Sequence, residues 1–141
     1  MLAGAADLSY VYPAPTPPFT DLGGDVSDLV RQAVAGLYQA GLVRGTDATH
    51  FTPWTRVSRA QVITAAVRAA QAGLPGGLSA PPADFPGTLG SFSSAHGESL
   101  RLAEYNGLLQ GLVAFGPGWD PWAPATRGEA AQVLWNFMRA Q

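Results

Sequence analysis

Two stretches of the chain decide its fold: Phe51-Thr-Pro-Trp-Thr-Arg-Val-Ser-Arg-Ala-Gln61 and Trp119-Asp-Pro-Trp-Ala-Pro-Ala-Thr-Arg-Gly-Glu129. Both follow the pattern aromatic-x-Pro-Trp-x-x-x-(Ser/Thr)-Arg-small-(Gln/Glu), and they lie 68 residues apart. A repeat that keeps aromatic, proline and arginine positions defines the structural unit of a chain. The sequence therefore predicts that the fold contains the same unit twice.

Shorter echoes extend the repeat upstream. Gly41-Leu-Val-Arg-Gly45 is matched by Gly107-Leu-Leu-Gln-Gly111, and Phe19 is matched by Phe85, both 66 residues apart. We therefore predict two repeats over residues 19–73 and 85–141, joined by a linker at 74–84 and preceded by an extended Pro-rich arm at 1–18.

Each repeat is predicted to be two helices joined by a structured loop, so the fold class is all-α. The first helix has Asp25 or Ser27 as its N-cap and ends at Gly41, and the second begins at Ser58. The helices of the second repeat fall near 94–106 and 127–139. The predicted buried stripes are Val26, Leu29, Val30, Ala33, Val34 and Leu37 in the first helix, and Val133, Leu134, Phe137 and Met138 in the last.

Capping boxes are predicted at the second helix of each repeat. Ser58 is followed three residues later by Gln61, and Thr126 is followed by Glu129. In such a box, the hydroxyl accepts from the third helical amide while the Gln or Glu side chain accepts from the amide of the cap.

Arg59 and Arg127 each follow a cap directly, at the first predicted helical position. A cation there faces the positive end of the helix dipole, so local stability does not explain its occurrence twice. One explanation is an anion site formed by the free amides and the guanidinium. The alternative is an internal ion pair, with Asp21 or Asp47 as partner in the first repeat and Asp120 in the second.

Large aromatic residues of the two loops are predicted to serve two purposes. Phe51 and Trp119 are expected to fill the space between helices. Trp54 and Trp122 are candidates for stacking on a sugar ring, because exposed aromatic rings on loops are often recognition features.

Composition restricts the function classes. The chain has 141 residues, no cysteine and a net charge of −2, and all eight basic residues are arginine. It lacks the basic patch that nucleic acids require, an apolar run that could span a membrane, and a visible signal peptide. His96, Glu98, Glu104 and the isolated His50 form no catalytic or metal-binding pattern, so we expect no enzymatic activity and no cofactor or metal.

The first repeat resembles the S-layer homology family. Phe19-Thr-Asp21, Gly41-Leu-Val-Arg-Gly45, Phe51-Thr-Pro53 and Val57-Ser-Arg-Ala-Gln61 occur in the order and spacing of that family. The second repeat departs from it at Phe85-Pro-Gly87, which lacks the acidic residue, and at Gly128, where the family has alanine. Leu29 also stands where the family commonly has tryptophan.

The resemblance implies a module at the bacterial cell surface that binds secondary cell-wall polysaccharide, often pyruvylated, through the arginine of the signature. That role would fall to Arg59 and Arg127, together with Ser58, Gln61, Thr126, Glu129, Trp54 and Trp122. The alternative is a self-assembling structural protein. Family members usually carry three repeats, so we expect the arm, through Tyr10 and Tyr12, to cover an open flank, most readily on a second copy of the chain.

Overall fold

The computed structural model describes residues 16–73 and 76–140 and confirms the all-α class. Its helices are α1 (Asp28–Gln39), α2 (Arg59–Gly73), α3 (Gly97–Tyr105) and α4 (Arg127–Arg139). Within the described ranges no strand occurs, and β pairing is limited to one isolated antiparallel bridge between Ser58 and Pro124. No described helix is both long and apolar enough to cross a membrane. Tyr10 and Tyr12 lie outside the described residues.

The described residues form two compact units, and the division falls between Thr55 and Arg56. The division falls within the first predicted repeat, because α2 packs against α3 and α4 in the second unit. The division into two sequence repeats stays a prediction.

Two glycines end the first helix of each predicted repeat in the same way. Gly41 and Gly107 have φ angles of 72° and 74°, which favour glycine. After Gly41, the Leu42 amide donates to the Leu37 carbonyl at 2.9 Å, and after Gly107 the Leu108 amide donates to the Ala103 carbonyl at 2.8 Å. This is the six-to-one bond of a Schellman motif, and it explains the recurrence of the Gly-Leu pair.

The first unit has a small core under a carboxylate-anchored loop. Buried Phe19, Leu22, Val26 and Val34 form that core, and the partly buried Phe51 packs against it. The carboxylate of Asp21 accepts the backbone N–H groups of Phe51 at 2.9 Å and Thr52 at 2.7 Å. These bonds, the one from Phe51 foremost, lower the pKa of Asp21. The carboxylate of Asp21 thus fixes the loop.

The second unit contains the larger core. Its buried side chains come from α2, α3 and α4 and from the segment between α3 and α4, and they include Ile63, Val67, Leu100, Leu108, Trp119, Val133 and Phe137. As predicted, Trp119 is a core residue, with 6% of its surface exposed.

The predicted buried stripes were too wide in two helices. In α1, Val34 is buried and Val30 is half-buried, but the adjacent row of Leu29, Ala33 and Leu37 is exposed. In α4, Val133 and Phe137 are buried, whereas Leu134 and Met138 are exposed. Residues four apart form one row along a helix. In α4 the core covers the single row of Val133 and Phe137, whereas in α1 burial is confined to Val34, Ala35 and Gly36.

Candidate functional site

The first amides of α2 are hydrogen-bonded to another segment of the second unit. The amides of Arg59 and Ala60 donate to the carbonyls of Ala123 (3.0 Å) and Pro121 (2.9 Å). The next amide, that of Gln61, donates to Ser58 Oγ at 3.2 Å, and Gln61 Oε1 accepts from the Ser58 amide at 2.8 Å. The predicted capping box is therefore formed, and the first three helical amides all have acceptors within the protein.

The Arg59 side chain turns to α4 and to the loop before it. Its Nε and Nη2 lie 2.8 and 2.7 Å from Glu129 Oε1, and its Nη1 donates to the Asp120 carbonyl at 3.1 Å. The guanidinium carbon lies 4.7 Å from the ring centroid of Trp119. An internal ion pair was one of the two predicted explanations, but the partner is Glu129 rather than Asp21 or Asp47.

The start of α4 carries the second predicted capping box. Thr126 Oγ1 accepts from the Glu129 amide at 3.1 Å, and Glu129 Oε2 accepts from the Thr126 amide at 2.8 Å. Glu129 thus gives one oxygen to Arg59 and the other to the cap. Burial acts to raise the pKa of Glu129, but the hydrogen bonds from Arg59 and Thr126 outweigh burial and hold the pKa below its ordinary value.

Arg127 differs from Arg59 in both its side chain and its backbone. Arg127 is exposed, and Asp120, its predicted partner, gives its carbonyl to Arg59 instead. Among residues 16–73 and 76–140, neither the guanidinium of Arg127 nor the amides of Arg127 and Gly128 have a hydrogen-bond or ion-pair partner. Unpaired amides at the positive end of a helix dipole, beside a cation, favour an anion.

The ring of Trp122 is half-exposed, and two other rings pack against it. The side chain is 53% exposed, and its ring makes edge contacts with Phe92 (centroids 5.6 Å apart) and His96 (5.7 Å). The Trp122 amide donates to Asp120 Oδ1 at 2.9 Å. Trp54, in the first unit, is 66% exposed. Both rings have free surface of the kind that stacking requires.

Phe92 and His96 were not predicted as supports of Trp122, because they lie far from it in the sequence and share no motif with it. His96 Nδ1 is hydrogen-bonded to the buried Thr64 Oγ1 at 2.8 Å. Burial, and to a lesser extent the charge of Arg68, lowers the pKa of His96. Asp120 was predicted as an ion-pair partner, and its role as acceptor for Trp122 was missed. An aspartate two residues before a loop amide is the signal that could have shown it.

The other acid and base side chains make local contacts. Glu98 pairs with Arg101 at 3.1 Å, Glu104 accepts from the Thr88 amide at 2.7 Å, and Asp47 pairs with His50 at 3.0 Å. Among the described residues, no three His, Cys, Asp or Glu side chains are placed to hold a metal ion.

In comparison with known proteins, one family model matches part of the chain. Residues 18–63 match the family model described as the S-layer homology domain, which supports the resemblance seen in the first repeat. The match extends from before Phe19 into α2 and includes Ser58, Arg59 and Gln61. No curated protein matches the chain.

S-layer homology domains are generally cell-wall anchoring modules that bind cell-wall polysaccharide at the cell surface. They are binding modules rather than catalysts. The matched segment is therefore similar to a cell-wall anchoring module.

Proposed function

We propose that this protein is an extracellular module that attaches to secondary cell-wall polysaccharide by binding acidic groups of the polymer. The start of α4 supplies the binding site in this proposal. Arg127 contacts a carboxylate, such as that of a pyruvylated sugar, and the amides of Arg127 and Gly128 donate to the same group. Trp122, five residues earlier, stacks on a sugar ring.

One observation carries the proposal: an exposed guanidinium and two unpaired amides occur together at a capped helix start. The net charge of −2 means that the overall field does not attract an acidic polymer, so recognition must be local. A planar guanidinium suits a carboxylate because it can donate two parallel hydrogen bonds. The shallow, exposed surface also suits a polymer better than a small enclosed ligand.

The remaining predicted residues take different parts in this proposal. Thr126 and Glu129 hold the α4 start in shape, and Ser58 and Gln61 do the same for α2. Trp54 belongs to the first unit and would offer a separate stacking surface.

Retention on bacterial wall sacculi tests the proposal. The sacculi are used with their secondary polysaccharides intact and after extraction of those polymers. We expect the natural chain to sediment only with intact sacculi, and Arg127→Ala to reduce retention by about tenfold or more, because a charge-assisted bidentate contact is lost.

Arg139→Ala is the matched control, because it removes the same charge from the last residue of α4, away from the capped start. It should bind as the natural chain does. Full retention of a folded Arg127→Ala variant, or equal binding to extracted sacculi, would contradict the proposal.

A further inference from the structure

We infer that Arg59 is a positioning residue: it holds Trp122 and the start of α4 in the arrangement that binds the polymer, and it does not contact the polymer itself. This inference rests on the proposed function of the α4 start. It separates the two arginines of the repeated motif, which the sequence alone presents as equivalent.

The first link runs from Arg59 to the backbone of the α4 start. Both Nε and Nη2 contact Glu129 Oε1, while Glu129 Oε2 accepts from the Thr126 amide at 2.8 Å and lies 3.1 Å from Thr126 Oγ1. Because the guanidinium holds one oxygen of the Glu129 carboxylate, the carboxylate has little freedom to rotate, and its second oxygen stays near Thr126. Arg59 therefore restrains the cap that directly precedes Arg127.

The second link runs to the loop that carries Trp122. Arg59 Nη1 donates to the Asp120 carbonyl, and Asp120 Oδ1 accepts from the Trp122 amide. The backbone of the same helix start supplies two more bonds to this loop, because the amides of Arg59 and Ala60 donate to Ala123 and Pro121. Trp122 thus lies between loop residues that are bonded to the start of α2.

The burial of the Arg59–Glu129 pair argues against a direct contact with a polymer. The Arg59 side chain is 22% exposed, and that of Glu129 is 13% exposed. The guanidinium lies over the buried ring of Trp119. Its Nε and Nη1 donate to protein acceptors and its Nη2 lies 2.7 Å from Glu129 Oε1, so a polymer carboxylate would have to share a partly buried guanidinium with Glu129.

The experiment compares Arg59→Ala with Arg101→Ala in the full chain. Arg101 is a close structural match, because its side chain is also 22% exposed, pairs with Glu98, and donates to the carbonyls of Phe85 and Pro82. Its contacts involve neither the Trp122 loop nor α4. Polysaccharide released from sacculi is the probe, and its affinity is measured by titration.

Two readouts are needed for each variant. The first is affinity for the released polysaccharide. The second is the set of ¹⁵N–¹H chemical shifts of the Arg127 and Gly128 amides and the Trp122 indole, recorded without polymer. We expect Arg59→Ala to shift these signals and to lose about tenfold in affinity, the order that a lost supporting contact costs at other preorganised sites. Arg101→Ala should change neither.

Two results would overturn the inference. Unchanged affinity in Arg59→Ala would show that the α4 start needs no support from Arg59. Lost affinity with unchanged shifts in the free protein would mean that Arg59 contacts the polymer directly. If Arg59→Ala does not fold, Arg59→Lys takes its place: it keeps the charge but loses the guanidinium fork, and it should give smaller changes of both kinds.

Failure of the proposed function gives a different pattern. In that case Arg127→Ala binds normally, whatever Arg59→Ala does. The chemical shifts of Arg127, Gly128 and Trp122 then still decide whether Arg59 holds these residues in place.

Discussion

The starts of α2 and α4 carry the same motif but have opposite surroundings. At α2 the leading amides are bonded to the segment 121–124, and Arg59 is paired with Glu129. At α4 the amides of Arg127 and Gly128 have no acceptor within the described residues, and Arg127 is exposed. The same short pattern can therefore start a helix whose arginine is bonded within the protein in one place and a helix whose arginine is exposed in another.

One residue type accounts for much of this difference. Glu129 is charged and ends the second capping box, whereas its counterpart Gln61 is neutral and exposed. An arginine near Glu129 gains an ion pair, but an arginine near Gln61 would gain none. Arg59 therefore has the carboxylate of Glu129 as its partner, whereas the neutral Gln61 offers no carboxylate to Arg127.

Removing the two capping side chains should give the largest difference between the helix starts. Glu129→Ala leaves the half-buried Arg59 without its carboxylate and the Thr126 amide without its acceptor, so we expect a loss of about 3 kcal/mol in unfolding free energy. Gln61→Ala removes a neutral hydrogen bond and should cost about 1 kcal/mol. Urea denaturation of both variants measures the difference. Equal losses would mean that the ion pair adds nothing to the cap.

Acidification should weaken the same pair, by less than deletion of the side chain does. A carboxyl group whose pKa is lower in the folded than in the unfolded state stabilises the fold above its ordinary pKa, which is about 4.5 for a glutamate. This contribution is lost as the pH falls through the folded-state pKa.

The check is the pH dependence of unfolding free energy in the natural chain and in Glu129→Gln. The natural chain should lose more stability below about pH 4.5, because only it has a titrating group at this position. Asp21 and Asp47, whose pKa values are also lowered, are present in both proteins and cancel in the comparison. Parallel curves would show that Glu129 is not linked to folding.

Replacing the cap hydroxyls should lower the unfolding free energy by a similar amount at the starts of α2 and α4. Ser58→Ala and Thr126→Ala each remove a side-chain acceptor for a helix amide, and each should cost about 1 kcal/mol. Thermal melts measure both, with Ser91→Ala as an exposed control outside any helix. A melting temperature unchanged in one variant alone would show that the two caps are not equivalent.

The smallest expected effect is that of Arg127→Ala on stability. Arg127 has no partner among the described residues and faces the positive end of the helix dipole, so its removal should be neutral or stabilising by a few tenths of a kcal/mol. Differential scanning calorimetry against Arg139→Ala checks the sign. A clear loss of stability would place Arg127 in the structural framework, as Arg59 is.

Local chemistry explains which parts of the fold could be predicted. The start of α2 after Ser58, the bounds of α4 and the two capping boxes all depend on residues within a few positions of one another. The first cap was narrowed to Asp25 or Ser27, and the structure selects Ser27, whose hydroxyl accepts from the Val30 amide. α3 begins at Gly97, three residues after the predicted 94, because Ser93 caps a turn through the His96 amide before the helix starts.

By itself the sequence determined the all-α class, the start of α2, the bounds of α4, and the resemblance that the family match at residues 18–63 supports. Tertiary structure alone decided which residues of α1 and α4 are buried, that Phe92 and His96 support Trp122, and that Arg59 is bonded to Glu129, 70 residues away. The physical reason is how far apart in the sequence the interacting residues lie. Caps and turns are set by neighbours along the chain, whereas burial and ion pairing depend on which distant segments the packed core brings together.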